Sequence, residues 1–496
     1  MSRRELLAVL VLASILIASF AAYEIYYANP GPSCQAIQGG TSVRSQTSKV
    51  QFGAVTEYKL PGLDRWPNAV TTSPDGSVWF TEEEVPGVAH LFPNNGTLVE
   101  YAWPGYSVPK LPDCIPNAIS FGIAFWNGRV WAADELGNKM IGVNPSDGSA
   151  VSVDTTGRAP LPYWLAAGPD GNLWFTSDST PARLGRIEPN MSLDVINLQG
   201  LGQENPIQLD FVNSSLAYFS AINLSDNSTT HSCICTGHIY SFNPELVSST
   251  ISPVKVGGSF TLVLPLSVSY SKDGLWVAQH GSSSVVEYNF TTGAWTRYPT
   301  SIVSWVDTTL PYEIQADGGR VWFNEHYANK IALLNPSAGT LVEYSESRPP
   351  ASGANDIQND ESIDAVSGGI WFTSLSGNYV GFVDSNYDPG FQFAAAGSNT
   401  KTVPPGGNAS FTLRLTGSWS GPLTVNASDS ENPQSIPGSI QITPSSSSIP
   451  PSGSVPVDLG VKVKVGQTAR QGDYTVAVTV TNGEVQETAY LFIQVS

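Results

Sequence analysis

The sequence predicts an all-β protein: a seven-bladed β-propeller at 45–390, an immunoglobulin-like β-sandwich at 395–496, and an N-terminal transmembrane or signal helix within 1–30. Three observations predict it. A strand–turn–strand unit built on a marker tryptophan recurs every ~40–50 residues, the signature of a propeller blade. The final stretch drops that unit but keeps short runs of alternating apolar and polar residues. One apolar run, behind two arginines, opens the chain.

Composition agrees. Of the 496 residues, 41% are hydrophobic and 10% aromatic, enough for a large core, which excludes a disordered chain. Dense Ser, Thr and Asn with 46 Gly and 36 Pro favour strands and turns over helices. The formal charge is −19, from 42 acidic and 23 basic residues. With no basic stretch the chain lacks the clustered Lys and Arg that phosphate contacts need, so nucleic acid is excluded as a partner.

At the N-terminus, Arg3 and Arg4 precede the apolar run Leu6 to Tyr23, which Glu24 ends. The run lies at the short end of the ~17–25 residues that span a bilayer. Positive charge ahead of it holds the N-terminus in the cytoplasm and exports the rest. The stretch Ala18-Ser19-Phe20-Ala21-Ala22 offers a signal-peptidase site, whereas Tyr23, Tyr26 and Tyr27 offer an aromatic belt for a retained anchor. Either outcome places the protein at the cell surface or outside the cell, with the membrane as a partner in the first case. Four cysteines, Cys34, Cys114, Cys233 and Cys235, fit export as two disulfides with three possible pairings. Of the Asn-x-Ser/Thr triplets, those at Asn213, Asn223 and Asn227 cluster in one insertion and are glycosylation candidates.

The repeat runs as Pro-x-x-apolar, a short gap, Asp-Gly or Gly-Gly, then apolar-Trp-aromatic and a second apolar strand. Its copies open at Pro67, Pro116, Pro162, Pro265, Pro311 and Ser362, with markers Trp79, Trp131, Trp174, Trp276, Trp322 and Trp371. Marker separations of 52, 43, 102, 46 and 49 leave room for one more unit in the long gap. Pro206-Ile207-Gln208-Leu209 with Leu216-Ala217-Tyr218-Phe219 fills it, so there are seven. The last unit lacks a clear fourth strand, and Val50 to Leu60 is placed to supply it and remove the free edge.

These units carry a resemblance. Pro162 to Pro189 (PYWLAAGPDGNLWFTSDSTPARLGRIEP) and Pro311 to Pro336 (PYEIQADGGRVWFNEHYANKIALLNP) are similar to the repeat of the streptogramin B (virginiamycin B) lyase family of seven-bladed propellers. The resemblance spans roughly residues 50–388. It implies a lyase mechanism with a His in a Glu-Pro-His-Gly motif opening an inner strand, a Glu after the Trp of that blade, and a magnesium ion. This chain departs from the motif: blade six has Pro311-Tyr312-Glu313, with Tyr312 in place of the His, and blade seven has Glu361-Ser362-Ile363. Glu325 and His326 fall on or beside the acidic position.

From Phe391 the repeat stops. Runs such as Ala409 to Leu415, Tyr474 to Val480 and Tyr490 to Val495 alternate between turn signals, as strands of an immunoglobulin-like sandwich do. Such a module reads as a spacer or adhesion unit, with no chemistry in it.

Chemistry is expected at one rim of the propeller, where strand one of each blade starts and strand two ends. Residues just past the Pro then neighbour those three and four past the Trp. His280 and His326 occupy the same position in adjacent blades five and six, with Glu313 and Glu325 in blade six and Asp364 in blade seven. His326 and His280 are candidate bases, Tyr312 a proton or hydrogen-bond donor, and Glu313, Glu325 and Asp364 candidate ligands for a divalent cation such as magnesium or calcium. The plain alternative is a set of solvated rim residues. A second constellation, His231-Ser-Cys233-Ile-Cys235-Thr-Gly-His238, has the donors of a zinc or copper site, though its Cys-x-Cys spacing suits disulfides better.

The leading expectation is a lyase-like propeller that binds an extracellular small molecule or glycan at its mouth, with metal-assisted elimination or hydrolysis. The alternative is a non-enzymatic recognition or adhesion scaffold for glycan or cell-envelope protein. Extracellular metal handling through the Cys/His insertion is a third.

Overall fold

The computed structural model describes residues 42–62, 65–83, 87–104, 120–227, 232–246, 249–258, 260, 262–301, 309–347, 359–429, 439–451 and 456–496, with only the backbone of 224–227, 232–235 and 429. The N-terminal apolar run, Pro116, and Cys34 and Cys114 therefore lie outside the described residues, as do the side chains of Cys233, Cys235 and Asn227. Among the described residues no helix is long and apolar enough to cross a membrane.

The described chain is all strand apart from one short 3-10 turn, Pro244–Leu246. Packing divides it into two compact units. The first, residues 1–48, 58–268 and 373–380, holds four sheets, each built on an antiparallel inner-to-outer meander. Sheet one runs Pro67–Thr72, Val78–Glu82, Gly87–Phe92, Thr97–Ala102, with Ser42–Gln46 added at its edge. Sheet two begins at Ile123–Trp126 and sheet three at Pro162–Ala167. Sheet four opens with Asn205–Asn213 and carries a long hairpin, Leu216–Asn227 with Ser232–Phe242.

The second unit, residues 49–57, 269–372 and 381–496, holds most of sheet five, sheet six, most of sheet seven and the C-terminal sheets. Sheet six runs Pro311–Asp317, Arg320–Glu325, Lys330–Asn335, Thr340–Ser345. In sheet seven, Asp360–Val366, Gly369–Ser374 and Tyr379–Asp384 are followed by Val55–Lys59 and Ser48–Phe52 from near the N-terminus. The segment 50–60 thus supplies the outer strand that the seventh repeat lacks.

Three sequence features build each repeat. Marker tryptophans Trp79, Trp131, Trp174, Trp276 and Trp322 are almost wholly buried, each bringing large apolar area to its sheet face. Residues before the inner strands, Trp66, Leu161, Leu264, Leu310 and Asn359, hold positive φ of 48–53°, a region non-glycine residues rarely occupy. In sheets one, three, four and six the residue two past the marker ties one inner strand to the next. Thr81 accepts the Ala69 amide and donates to Ser120 O; Thr176 does the same for Trp164 and Ile207, and Ser220 for Gln208 and Leu266. Asn324 does it in sheet six, from the Glu313 amide to Asp360 O. At Gly381 a Cβ would meet the ring of Phe372 at 2.1 Å, so only glycine lets that ring lie across the strand.

The C-terminal part is two sheets around one core. Asn408–Gly417 and Val457–Val465 alternate buried and exposed residues, and their inner faces share a cluster with Leu423, Val478 and Leu491 from the opposite sheet. Its first strand, Phe391–Ala395, starts earlier than expected, within the stretch read as a boundary. Val485–Val495 pairs antiparallel with Thr340–Ser345, so sheet six runs on into the C-terminal sheet. Ala477 and Tyr490 join the core of Trp276, Phe323 and Leu341.

Candidate functional site

Part of the expected constellation meets in the second unit, at one end of sheets five and six. Strands Pro311–Asp317 and Arg320–Glu325 pair Pro311 with Glu325, then the register jumps to Ile314 with Phe323. This bulge lifts Tyr312 and Glu313 out of strict alternation. His326 follows the second strand of sheet six, and its amide donates to Leu310 O. His280 follows Gly274–Gln279 in sheet five.

The two imidazoles and the phenol meet. The rings of His280 and His326 lie 5.3 Å apart at 83°, and His280 stands at 5.3 Å and 81° to Tyr312. Tyr312 stacks on His326 at 5.2 Å and 25°, and Tyr327 stacks on it at 5.5 Å and 21°. His326 and His280 are 8% and 4% exposed, while Tyr312 and Tyr327 are half-buried at the surface of the cluster. Burial holds both imidazoles far below the ordinary range: His280 down to about 4 and His326 to about 3, the charge of neighbouring His280 adding to the latter. Both are neutral at pH 7. His280 is held against the Leu310 and Pro311 carbonyls and His326 against that of Asp360. Glu361 Oε1 lies 3.7 Å from His326 Nδ1, too long for a direct hydrogen bond but close enough to favour an imidazolium.

The carboxylates do not converge as a ligand set. Glu313 Oε2 accepts the Ile363 amide at 2.8 Å, so it ties sheet six to sheet seven. Gln208 does the same service in sheet four, accepting the Val268 amide at 2.8 Å. Burial pushes Glu313 up to about 8, with Asp364 nearby adding to the rise. Glu325 is wholly buried and faces Glu343 and Lys330; burial first and Glu343 second raise its carboxyl well above the usual range. Among the described residues no group of three or more His, Cys, Asp or Glu is placed to hold a metal ion. Of the acids expected to hold magnesium or calcium, Glu313 accepts the Ile363 amide, Glu325 faces Lys330 and Glu343, and Asp364 lies near Glu313.

In the Cys/His insertion only His238 has a described side chain among the four metal or disulfide candidates. His238 Nδ1 lies 2.6 Å from Glu204 Oε1, whose other oxygen accepts from Tyr240 at 3.0 Å. His238 sits at a strand position alternate to Cys233 and Cys235. Asn213 is exposed at the end of the strand Asn205–Asn213, and Asn223 is half-buried.

Sequence reasoning missed Tyr327 and Glu361. Tyr327 stands next to His326, and its ring lay outside the positions compared across blades. Glu361 precedes the seventh inner strand's apolar positions, one residue ahead of the aligned start, Ser362.

Fold and rim together define an all-β, propeller-like protein with an aromatic and imidazole cluster at one sheet end. The Virginiamycin B lyase family model matches residues 53–205, and the chain is similar to that β-propeller family at low identity. A catalytically inactive virginiamycin B lyase from Staphylococcus aureus with quinupristin is 18% identical, covering 66% of this chain and 98% of that one, with a TM-score of 0.50. A selenomethionine-substituted virginiamycin B lyase from Staphylococcus aureus gives 19%, the same coverages and 0.49. BamB from Moraxella catarrhalis gives 11%, 70% and 99%, and 0.37. At these identities the likeness concerns the fold. No curated protein matches the chain.

Proposed function

We propose that this protein is an exported, lyase-like seven-bladed propeller that binds a small organic molecule or glycan where His280, Tyr312, His326 and Tyr327 meet. The single observation behind this reading is the ring cluster: His280, Tyr312 and His326 lie 5.2–5.3 Å from one another, and Tyr327 stacks on His326 at 5.5 Å. Such a surface offers ring faces for stacking together with hydrogen-bonding groups. In this reading Leu6–Tyr23 anchors or exports the chain and the C-terminal sheets form an immunoglobulin-like module at the cell surface.

Turnover by elimination or hydrolysis would use His326 as base, with Glu361 stabilising the imidazolium and Tyr312 donating to the leaving oxygen. One observation favours a non-catalytic binding protein instead. A base held near 3 is far from the working pH at which proton transfer is efficient. The test is incubation of the full-length chain with quinupristin and a panel of cyclic esters and glycans, followed by mass spectrometry and binding assays. Product formation lost in His326→Ala supports catalysis. Binding without product, lost in Tyr312→Ala, supports recognition. Neither in any compound sinks both.

A further inference from the structure

We infer that the C-terminal sheet positions the histidine cluster, through a clamp in which Gln486 and Tyr490 hold the Pro299–Ser301 segment that in turn fixes the turn carrying His326 and Tyr327. This goes beyond the functional reading above and does not depend on any ligand or turnover.

The path can be followed bond by bond. Tyr490 Oη donates to Pro299 O at 2.7 Å, and Ser301 Oγ lies 2.7 Å from both Gln486 Oε1 and Glu343 Oε1. From that segment two routes lead to the rim. On the first, Thr300 Oγ1 and Thr309 Oγ1 are 2.5 Å apart. Thr309 O then accepts the Tyr327 amide at 3.0 Å, and neighbouring Leu310 O accepts the His326 amide at 3.2 Å. The same Leu310, with Pro311, presents its carbonyl to the His280 ring. On the second, Lys330 Nζ donates to Ser301 Oγ at 2.8 Å and lies 3.4 Å from Glu343 Oε1. Lys330 pairs across the strands with Glu325, the residue before His326.

Apart from half-buried Gln486 these groups are buried, where a satisfied polar network fixes geometry and a broken one is costly. Strand pairing of Tyr344 with Val485 and Thr340 with Ala489 keeps the clamp in register. The ring contacts of Tyr490 and Phe492 with Tyr298, at 5.4 and 6.2 Å, press on the strand that leads into the segment. The two sandwich side chains are therefore positioning residues for the cluster, although neither touches its rings.

Histidine-ring NMR of the full-length chain tests this, with His280 and His326 assigned from their alanine variants. In Gln486→Leu/Tyr490→Phe the ring signals of both histidines should shift together, and the acid titration of His326 should move up towards the ordinary imidazole range. Signals of His90 and His238 should stay in place. Thr488→Val, which breaks only the 2.6 Å contact with Thr479 on the neighbouring strand, should leave all four unchanged. Should the double variant not fold, each single substitution carries the same expectation. Unmoved His280 and His326 signals in a folded clamp variant, or equal shifts in Thr488→Val, would overturn the inference.

Discussion

Tyr312 lies flat against His326, their rings 5.2 Å apart and 25° from parallel. The residue that replaces an expected histidine is thus in direct contact with the imidazole that follows the next strand. Together with Tyr327 on its other contact, this stack buries His326 without charging it.

Burial of the stack predicts a titration. The ring signals of His326 and His280 should remain those of neutral imidazole from pH 8 down to about 5, because their pKa values are lowered to about 3 and about 4. A folded value below the unfolded one near 6.5 means that protons favour the unfolded chain. The stability these two groups contribute is therefore present above about 6.5 and lost as pH falls through 4 and 3. An NMR titration showing either ring charging near pH 6.5 would refute the assigned environment.

Glu313 predicts the opposite slope. Its carboxyl is pushed up to about 8, so the folded state holds the proton more tightly than the unfolded chain. That stabilisation is complete below about 4.5 and lost as pH rises through about 8. Glu313→Gln keeps an oxygen for the Ile363 amide and removes the titration. Thermal unfolding between pH 6 and 9 should therefore be flatter in the variant than in wild type, and an equal slope would count against the placement of Glu313.

Lys330 is the one base in a buried group with Glu343 and Glu325, with its side chain only 2% exposed. Removing one partner of a buried pair typically costs about 3–5 kcal/mol, because the other charge is left uncompensated. Lys330→Met should lose that much in denaturant unfolding, and adding Glu343→Leu should recover a substantial part. A loss below about 1 kcal/mol would show that the pair is solvated.

The repeat made the architecture and the matched positions of His280 and His326 legible, since Pro, turn and Trp mark where strands start and end. The shared end of paired strands, Pro311 with Glu325, follows from that pattern alone. The direction of the acids was not legible. A bulge between Pro311 and Ile314 turns Glu313 towards Ile363, and alternation gives no sign of it. The Thr or Asn two past the marker bridges successive inner strands through Thr81, Thr176 and Asn324, a role that strand alternation does not mark. The attachment of the C-terminal sheet was hidden for another reason. It depends on backbone pairing of Thr340–Ser345 with Val485–Val495, and an unpaired outer strand has no sequence mark for its partner.

The central claim is that the His280–Tyr312–His326 cluster is a ligand site. The measurement that tests it most directly is histidine-ring NMR of the full-length chain against a library of ring-bearing small molecules and oligosaccharides, including quinupristin. The account predicts binders that move the His280 and His326 signals, leave His90 unmoved, and lose affinity at least tenfold in Tyr312→Ala. A library in which nothing moves those two signals, or in which every binder acts equally on Tyr312→Ala, would contradict it.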